Sequence, residues 1–312
     1  MEENQKKKSR VLVIGATGRL GQCLIRFSVE SGHPTFALIR DSTFSDLSNS
    51  AKIRSLSDAG ATLLKGSLED EASLEEAVKK VDVVICAIPS KHVLQQKLLI
   101  KVIEQAASIK RFVPSEFGAD ADKIQISGLD NGFYAKKAEI RRLIESKGIP
   151  HTYICCGFFM RILLPSLVQP GLDSPPTDKV TIFGDGNTTG IFVKDVDVAA
   201  FTISTIDDPR TLNKTLYLRP PGNVCSLHNL VDLWEHKIGK KLNKTYVPED
   251  KLLAIIKGTP YPENMDHVFI YSVFVKGDHT YFDIESSGGV NGTELYPSVR
   301  YTTVSEFLDS LL

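Results

Sequence analysis

Three glycines at regular spacing follow a short apolar run near the start of the chain. Gly15, Gly18 and Gly21 form the pattern Gly-x-x-Gly-x-x-Gly directly after Val11–Ile14, and an amphipathic stretch follows them. Glycine permits a tight turn, lets the backbone approach a pyrophosphate group and leaves the helix N-terminus free to hold that anion. Because an expected strand precedes the motif and an expected helix follows it, the pattern predicts a dinucleotide-binding unit rather than a structural turn.

The first half of the chain alternates short apolar runs with amphipathic stretches. The expected strands are Val11–Ile14, Thr35–Ile39, Thr62–Lys65, Val81–Ala87, Arg111–Pro114 and Thr152–Cys155. Helical periodicity covers Arg19–Ser31, Ala51–Ala59, Ser73–Lys79, Val93–Ala106 and Phe133–Lys147. Repeated strand–helix pairs predict an α/β fold built on a Rossmann-type, doubly wound parallel sheet.

The pattern becomes irregular in the second half of the chain. A proline-rich segment lies at Pro165–Pro176, and a turn signal follows at Gly184–Asn187. We therefore expect a dinucleotide-binding domain over residues 1–156 and a smaller α/β substrate-binding lobe over residues 157–312. Some α/β chains return to the first sheet after such an excursion, so the boundary is left open to a later segment that rejoins the first domain.

Composition argues against several classes of function. A formal net charge of −1 lacks the basic footprint of a nucleic-acid-binding protein. The first apolar run is far shorter than the about 20 residues of a membrane span and does not make a signal peptide, which predicts a cytoplasmic protein without a membrane partner. The five cysteines include no Cys-x-x-Cys pair, so neither a disulfide framework nor a metal site is expected.

The end of the second expected strand indicates which dinucleotide binds. Arg40 follows that strand directly, and a cation at this position accommodates a 2′-phosphate. Asp41 comes next, although its side chain points away from Arg40 if the strand geometry continues. Lys52 and Arg54 are candidates for a second charge. The sequence therefore favours NADPH over NADH.

Several common catalytic motifs are missing from the sequence. No tyrosine has a lysine four residues later, so the Tyr-x-x-x-Lys pair of simple short-chain alcohol dehydrogenases is absent. No Gly-x-Ser-x-Gly elbow, phosphate-binding P-loop or His-Glu-x-x-His zinc motif is present either. These absences argue against alcohol dehydrogenase, hydrolase and metalloenzyme functions.

The helix expected at Phe133–Lys147 carries two lysines, Lys136 and Lys137, at the edge of its apolar face. Desolvation lowers the pKa of a lysine in such a position, which allows the neutral amine to accept a proton. The alternative is a lysine whose ammonium group extends into water. Periodicity does not choose between these interpretations or between the two lysines.

Several motifs together resemble the isoflavone reductase-like family, plant NADPH-dependent reductases of phenylpropanoid metabolism that belong to the NmrA-like atypical short-chain dehydrogenases. The resemblance rests on Gly-Ala-Thr-Gly at 15–18, Pro-Ser-Glu-Phe-Gly at 114–118, Lys-x-x-x-Arg-Arg at 137–142, Gly-Asp-Gly-Asn at 184–187 and Leu-Tyr-Pro at 295–297. It covers nearly the whole chain and is closest to the phenylcoumaran benzylic ether reductases.

The resemblance implies a role for particular residues. Lys137 would be the general base, and Arg141 would lie near the cofactor. The glycine loop and two cations would hold NADPH, namely Gly15, Ala16, Thr17, Gly18, Arg19, Leu20, Gly21, Arg40 and Lys52. The family usually has tyrosine and isoleucine where this chain has Arg19 and Leu20.

The substrate pocket of the family is formed in part by the segment after the sixth strand. This places Gly157, Phe158 and Met160 at the pocket, although the sequence of residues 155–163 departs from the family pattern. Phe269 is a further candidate, since the aromatic stripe that it shares with Tyr271 and Phe274 could contact a planar substrate. The same stripe is also typical of a helix that faces the core.

The activity implied is reduction of a phenolic benzylic ether. The lysine removes a phenolic proton, the benzylic carbon–oxygen bond breaks to give a quinone methide, and NADPH delivers hydride to the electrophilic carbon. Isoflavones, pinoresinol or lariciresinol, and phenylpropene precursors of the eugenol type are alternative substrates. A different alternative is an NmrA-like sensor that binds the dinucleotide without turnover, against which Lys137 argues. Both a monomer and a homodimer fit the sequence.

Overall fold

The computed structural model describes residues 7–126 and 128–312 of the chain. The described residues divide into two compact units of similar length, and each is assembled from three segments. The first unit contains residues up to 117, 136–154 and 198–216. The second contains the described residues of 118–135, 155–197 and 217–312. The domain boundary near residue 156 stays a prediction.

The first unit begins with five strands that alternate with helices. These elements are β1 (Val11–Ile14), α1 (Arg19–Glu30), β2 (Thr35–Ile39), α2 (Asp41–Ser45), α3 (Ser50–Asp58), β3 (Thr62–Lys65), α4 (Glu71–Val78), β4 (Val83–Cys86), α5 (Gln96–Ala106) and β5 (Arg111–Val113). The strands form one parallel sheet in the order β3-β2-β1-β4-β5. The predicted doubly wound parallel sheet is confirmed, and strand order reverses beside β1 as in other Rossmann-type sheets.

The remaining elements follow in chain order. They are α6 (Phe133–Ser146), β6 (Thr152–Cys155), β7 (Phe158–Phe159), β8 (Lys179–Phe183), β9 (Thr189–Val193), α7 (Asp195–Ser204), β10 (Lys214–Tyr217), β11 (Val224–Ser226), α8 (Leu227–Ile238), β12 (Asn243–Val247), α9 (Glu249–Gly258), α10 (Met265–Phe274), β13 (Val290–Asn291), α11 (Gly292–Leu295) and α12 (Val304–Asp309).

The first unit is completed by chain that comes much later than its first five strands. A parallel bridge joins Phe112 of β5 to His151, just before β6, and β10 lies beside β6. The backbone N–H of Asn213 donates to the carbonyl oxygen of His151 at 2.7 Å. Arg111 is buried and donates to the carbonyl oxygen of Asp208 at 2.8 Å. These long-range contacts assign residues 198–216 to the first unit.

The second unit has a core of its own around two small groups of strands. β9 pairs with β11 antiparallel and with β7 parallel, and β12 pairs with β8 parallel. Helices α8, α9 and α10 contribute apolar side chains such as Trp234, Leu252 and Phe274 to this core. The apolar face of α10 therefore serves mainly to pack the second unit.

Predicted and observed elements differ mainly at their ends. The helix expected from Val93 begins at Gln96, because Ser90–Gln95 form a 3-10 helix after Pro89. The strand expected over Val81–Ala87 is limited to Val83–Cys86. Such shifts of a few residues arise because apolar periodicity does not mark where backbone pairing stops.

Candidate cofactor site and proton-transfer residues

The glycine loop after β1 packs tightly against backbone atoms of its own residues and of Ala87. Gly15 has a φ of 82°, and a Cβ atom on it would lie 2.8 Å from the carbonyl carbon of Ala87. A Cβ on Gly21 would lie 2.8 Å from the Cα of Ala16, whereas one on Gly18 would lie 3.2 Å from the oxygen of Gly15. Packing therefore requires glycine at the first and third positions. Glycine at the second position leaves the N-terminus of α1 without a covering side chain.

The N-terminus of α1 is suited to an anion. Gly18 caps the helix without a side-chain hydrogen bond, and the first turn of α1 contains no acidic residue. The first backbone N–H groups of a helix lack intrahelical partners and carry the positive end of the helix dipole. A pyrophosphate group in this place would meet N–H donors with no side chain in between.

A cavity of about 470 Å³ opens in the first unit at the carboxyl ends of β1 to β4. This is the edge at which open parallel α/β sheets bind their ligands. Its volume lies within the range of small-molecule and cofactor sites. The residues that line it include Gly15, Thr17, Gly18, Arg40, Glu69 and His92. The cavity and the glycine loop thus form one continuous candidate site for a dinucleotide.

Arg40 lies at this cavity, exposed at the end of β2. The neighbouring carboxylate of Asp41 pairs with Lys65, whose Nζ lies 3.3 Å from Asp41 Oδ1. The same Nζ lies over the ring of Phe44, 5.5 Å from the ring centroid. Lys65 thereby offsets the negative charge beside Arg40, and the site keeps the net positive character that a 2′-phosphate requires.

The other residues expected to bind the cofactor occupy varied positions. Ala16, Leu20 and Gly21 are buried behind the loop, while Arg19 is exposed on α1. Lys52 is exposed on α3, and it is not one of the described residues that line the cavity. Hydrogen bonds from Ser48 lower the pKa of Asp46, and the charge of Lys52 contributes to the same shift, which places Lys52 close to that carboxylate.

Burial distinguishes the two lysines at the start of α6. Lys136 is exposed, whereas Lys137 is 3% exposed. The Nζ of Lys137 donates to the carbonyl oxygen of Glu116 at 2.6 Å. Ile140 and Ile144 pack the same helix into the core of the first unit. Lys137 is therefore not a surface lysine whose ammonium group extends into water.

Arg141, one helical turn after Lys137, is also buried. Its Nη2 donates to Glu116 Oε2 at 2.7 Å, and both side chains are 2% exposed. Its guanidinium carbon lies 4.6 Å from the ring centroid of Tyr153. Burial, together with the charge of Glu145, raises the pKa of Tyr153 well above its ordinary value. Arg141 does not line the described part of the cavity at the strand ends.

The expected substrate-pocket residues lie in the second unit. Phe158 packs against Phe192 and Phe269, with ring centroids 5.8 and 6.3 Å away. Phe269 is half-buried, whereas Met160 has no exposed surface. Gly157 has a φ of 65°. Tyr271 and Phe274 belong to the core, so only Phe269 of the aromatic stripe keeps an accessible face.

His279 is a residue that sequence reasoning missed, because its neighbours in the chain are ordinary polar residues. The imidazole is 4% exposed and lies edge-on to Phe158, with ring centroids 4.9 Å apart. Its Nδ1 accepts a hydrogen bond from the backbone N–H of Ile191 at 3.2 Å. Burial, and then the charge of Arg219, lower the pKa of His279 to about 3. It is a neutral ring at physiological pH.

Within the part of the chain that the structure describes, no cluster of three or more His, Cys, Asp or Glu side chains is arranged to hold a metal ion. Among the described helices, none combines the length and apolar character needed to cross a membrane.

Comparison with known proteins identifies the relatives of this chain. The sequence profile of the NmrA-like family matches residues 7–308. Probable pinoresinol-lariciresinol reductase 3 of Arabidopsis thaliana is 74% identical over 310 residues, which is 99% of this chain and 100% of that protein. Phenylcoumaran benzylic ether reductase IRL1 of Ginkgo biloba is 50% identical over 98% of this chain and 99% of its own length.

Solved structures agree with the sequence relatives. An isoflavone reductase superimposes with a TM-score of 0.94 at 38% identity, over 98% of this chain and 100% of that chain. A structure described as AtPrR2 with NADP+ and (+)-pinoresinol superimposes with a TM-score of 0.91 at 35% identity, over the same shares. The chain therefore belongs to the NmrA-like family and, within it, to the isoflavone reductase-like reductases.

Proposed function

We propose that the protein is an NADPH-dependent reductase that opens the benzylic ether of a phenolic lignan, with pinoresinol and lariciresinol as its first candidate substrates. The observation that carries the proposal is the buried Lys137, whose Nζ is held at the carbonyl oxygen of Glu116 at 2.6 Å. A lysine in this environment is placed for proton transfer rather than for solubility.

The residues of the first unit fit the cofactor. Gly15 and Gly21 let the loop pack tightly, and Gly18 leaves the N-terminus of α1 open to a pyrophosphate group. Arg40, with Lys52 as a second cation at the surface, would hold the 2′-phosphate. When bound, NADPH supplies the hydride that reduces the substrate.

The chain contributes the proton transfers. A phenol has a pKa near 10, so a neutral Lys137 amine in a dry site is a suitable acceptor for its proton. Loss of that proton drives electrons toward the para position, where the benzylic carbon–oxygen bond breaks and a quinone methide forms. Hydride addition to the benzylic carbon restores the phenolate. Protons from Lys137 and solvent then complete the phenol and the released hydroxyl group.

The choice among substrates follows from the relatives. The 74% identical protein is named as a pinoresinol-lariciresinol reductase, whereas the named phenylcoumaran reductase is 50% identical. Both classes of compound present a benzylic ether para to a phenol, so one mechanism serves both. A phenylcoumaran is therefore the second candidate, and isoflavones and phenylpropene precursors come after it. The half-buried Phe269 offers an aromatic face that suits any of these rings.

The test is NADPH oxidation with product identification by chromatography. Purified protein is offered pinoresinol, lariciresinol, dehydrodiconiferyl alcohol, an isoflavone and coniferyl acetate in separate reactions. We expect turnover of pinoresinol or lariciresinol with formation of the ring-opened product. Turnover confined to dehydrodiconiferyl alcohol would move the assignment to the phenylcoumaran class. Tight NADPH binding without turnover of any compound would favour the sensor alternative and contradict the proposal.

A further inference from the structure

We propose that the buried ion pair between Glu116 and Arg141 is a positioning device that holds Lys137 ready for proton transfer and sets the pH range in which it works. The inference rests on the proposed function, in which Lys137 is the general base. It assigns a role to two residues that do not themselves touch the reacting atoms.

One residue, Glu116, contacts two successive turns of α6. Its carbonyl oxygen accepts from Lys137 Nζ at 2.6 Å, and its carboxylate accepts from Arg141 Nη2 at 2.7 Å. Lys137 and Arg141 are four residues apart, which places them on the same helical face. The carboxylate therefore fixes the segment whose backbone oxygen holds the lysine.

The segment around Glu116 is anchored on its other side as well. Ser115 donates from its backbone N–H to the buried Gln96 at 2.8 Å and from its hydroxyl to the oxygen of Ile88 at 2.7 Å. Ile88 lines the cofactor cavity. Phe117 has a φ of 39°, a left-handed conformation that a non-glycine residue adopts only where surrounding contacts enforce it. The position of the Glu116 carbonyl is thus determined by contacts rather than by local preference.

Charge gives the pair its second role. Glu116 and Arg141 are each 2% exposed on their side chains, and an uncompensated charge at such a site is costly. In the intact pair the two charges offset one another near Lys137. Other titratable groups close to this cluster include Tyr153, whose ring lies under Arg141, and Glu145, which accepts from the Tyr153 hydroxyl at 3.3 Å. His151 stacks on Tyr153 with ring centroids 4.4 Å apart, and burial together with the charge of Arg141 lowers the pKa of its imidazole.

The two single variants should act in opposite directions. Glu116→Gln leaves the Arg141 cation alone beside Lys137, which favours the neutral amine and moves the acid limb of the pH–rate profile to lower pH. Arg141→Met leaves the Glu116 carboxylate with Lys137 as its remaining counter-ion, which moves the limb to higher pH. Each shift should be about one pH unit, since Lys137 contacts the backbone of Glu116 and lies one helical turn from Arg141, and a nearby charge changes a pKa by about 1–3 units.

A matched control lies on the same helix. Glu139 pairs with Lys97, and both side chains are about half exposed. Glu139→Gln removes one negative charge, as Glu116→Gln does, but at the surface. We expect it to leave the acid limb within about 0.2 units, because solvent screens exposed charges.

The closing experiment combines kinetics with a measurement that needs no turnover. The pH–rate profile and the 15N resonance of the Lys137 ammonium, assigned with Lys137→Met, are recorded for the wild type, Glu116→Gln, Arg141→Met and the double variant. The double variant removes both charges, so it should fold even where a single variant does not. Its acid limb should lie close to that of the wild type, while kcat falls at least tenfold and KM changes less than threefold.

The outcomes separate the two proposals. Opposite shifts of the Lys137 titration without turnover of any lignan would support the positioning role and contradict the proposed function. Turnover in which both single variants shift the same way, or in which the double variant keeps its full kcat, would overturn the positioning role and leave the proposed function in place.

Discussion

The carbonyl oxygen of Gly15 occupies the space that a side chain on Gly21 would need. Gly15 directly follows β1 and Gly21 lies in the first turn of α1, so the contact joins the end of a strand to the start of the next helix. The helix can approach the sheet this closely only because position 21 has no Cβ. Packing and cofactor binding therefore depend on different glycines of one motif.

Gly21→Ala should destabilise the fold, whereas Gly18→Ala should mainly weaken cofactor binding. We expect Gly21→Ala to lower the free energy of unfolding by about 2 kcal/mol, because overpacked backbone must shift. A Cβ on Gly18 lies 3.2 Å from the Gly15 oxygen, so the fold tolerates it while the cavity narrows. Urea unfolding and fluorescence titration with NADPH measure the two effects. Equal loss of stability in both variants would contradict this division.

Arg40→Ala should weaken NADPH binding without affecting NADH. Loss of the guanidinium removes the contact proposed for the 2′-phosphate. We expect the Kd of NADPH to increase 10- to 100-fold, which corresponds to about 1.4 to 2.8 kcal/mol of binding free energy. Lys52→Ala should have a smaller effect, because Lys52 does not line the described part of the cavity. Lys80→Ala removes an exposed charge elsewhere and serves as the control. A parallel loss of NADH affinity in Arg40→Ala would argue against 2′-phosphate recognition.

Lys137→Met should abolish most turnover and leave cofactor binding intact. General acid–base catalysis contributes about 10²- to 10⁴-fold, so kcat should fall within that range. Lys136→Met is the matched control, because the neighbouring lysine is exposed. The measurements are steady-state kinetics with the substrate that is turned over and the Kd of NADPH. Equal losses in the two variants would show that the helix, rather than one amine, matters.

Glu235 should make the second unit sensitive to acid. Hydrogen bonds, first from Lys241 and then from the backbone of Leu242, lower the pKa of Glu235 to about 2, from an ordinary value of 4.5. A carboxylate with a lowered pKa stabilises the fold fully at pH values above the pKa that it has in the unfolded chain. This contribution is lost as the pH falls from 4.5 toward 2. Glu235→Gln should therefore cost about 2 kcal/mol at pH 7 and much less at pH 3.

Urea unfolding at several pH values measures this prediction. Glu263→Gln changes an exposed glutamate and should leave stability unchanged at every pH. A cost for Glu235→Gln that stays constant between pH 7 and pH 3 would rule out the ionised carboxylate as its origin.

The sheet of the first unit is well predicted from local patterns. Four of the six expected strands, those at Val11, Thr35, Thr62 and Thr152, begin and end as expected. Buried parallel strands read as continuous apolar runs between helical stretches, so short-range periodicity is enough to find them. The glycine loop is also found from local sequence, because its three glycines lie within seven residues and directly follow β1, although Gly15 packs against the distant Ala87.

The cluster of Glu116, Lys137 and Arg141 depends on information that is not local. Periodicity does not distinguish Lys136 from Lys137, whereas the structure shows that Lys137 is the buried one and that it donates to the distant Glu116. His279 has no local signal either, since its burial results from packing against Phe158. The motif that contains Glu116 supported the family resemblance, but nothing in its residue types indicates an ion pair with Arg141.

Residues 198–216 complete the nucleotide-binding unit from a distance along the chain. During synthesis β10 leaves the ribosome well after its partner β6, so β6 lacks this neighbour while part of the second unit is already available to fold. A chimera that exchanges the nucleotide-binding unit between two relatives would likewise have to transfer three separate pieces of chain.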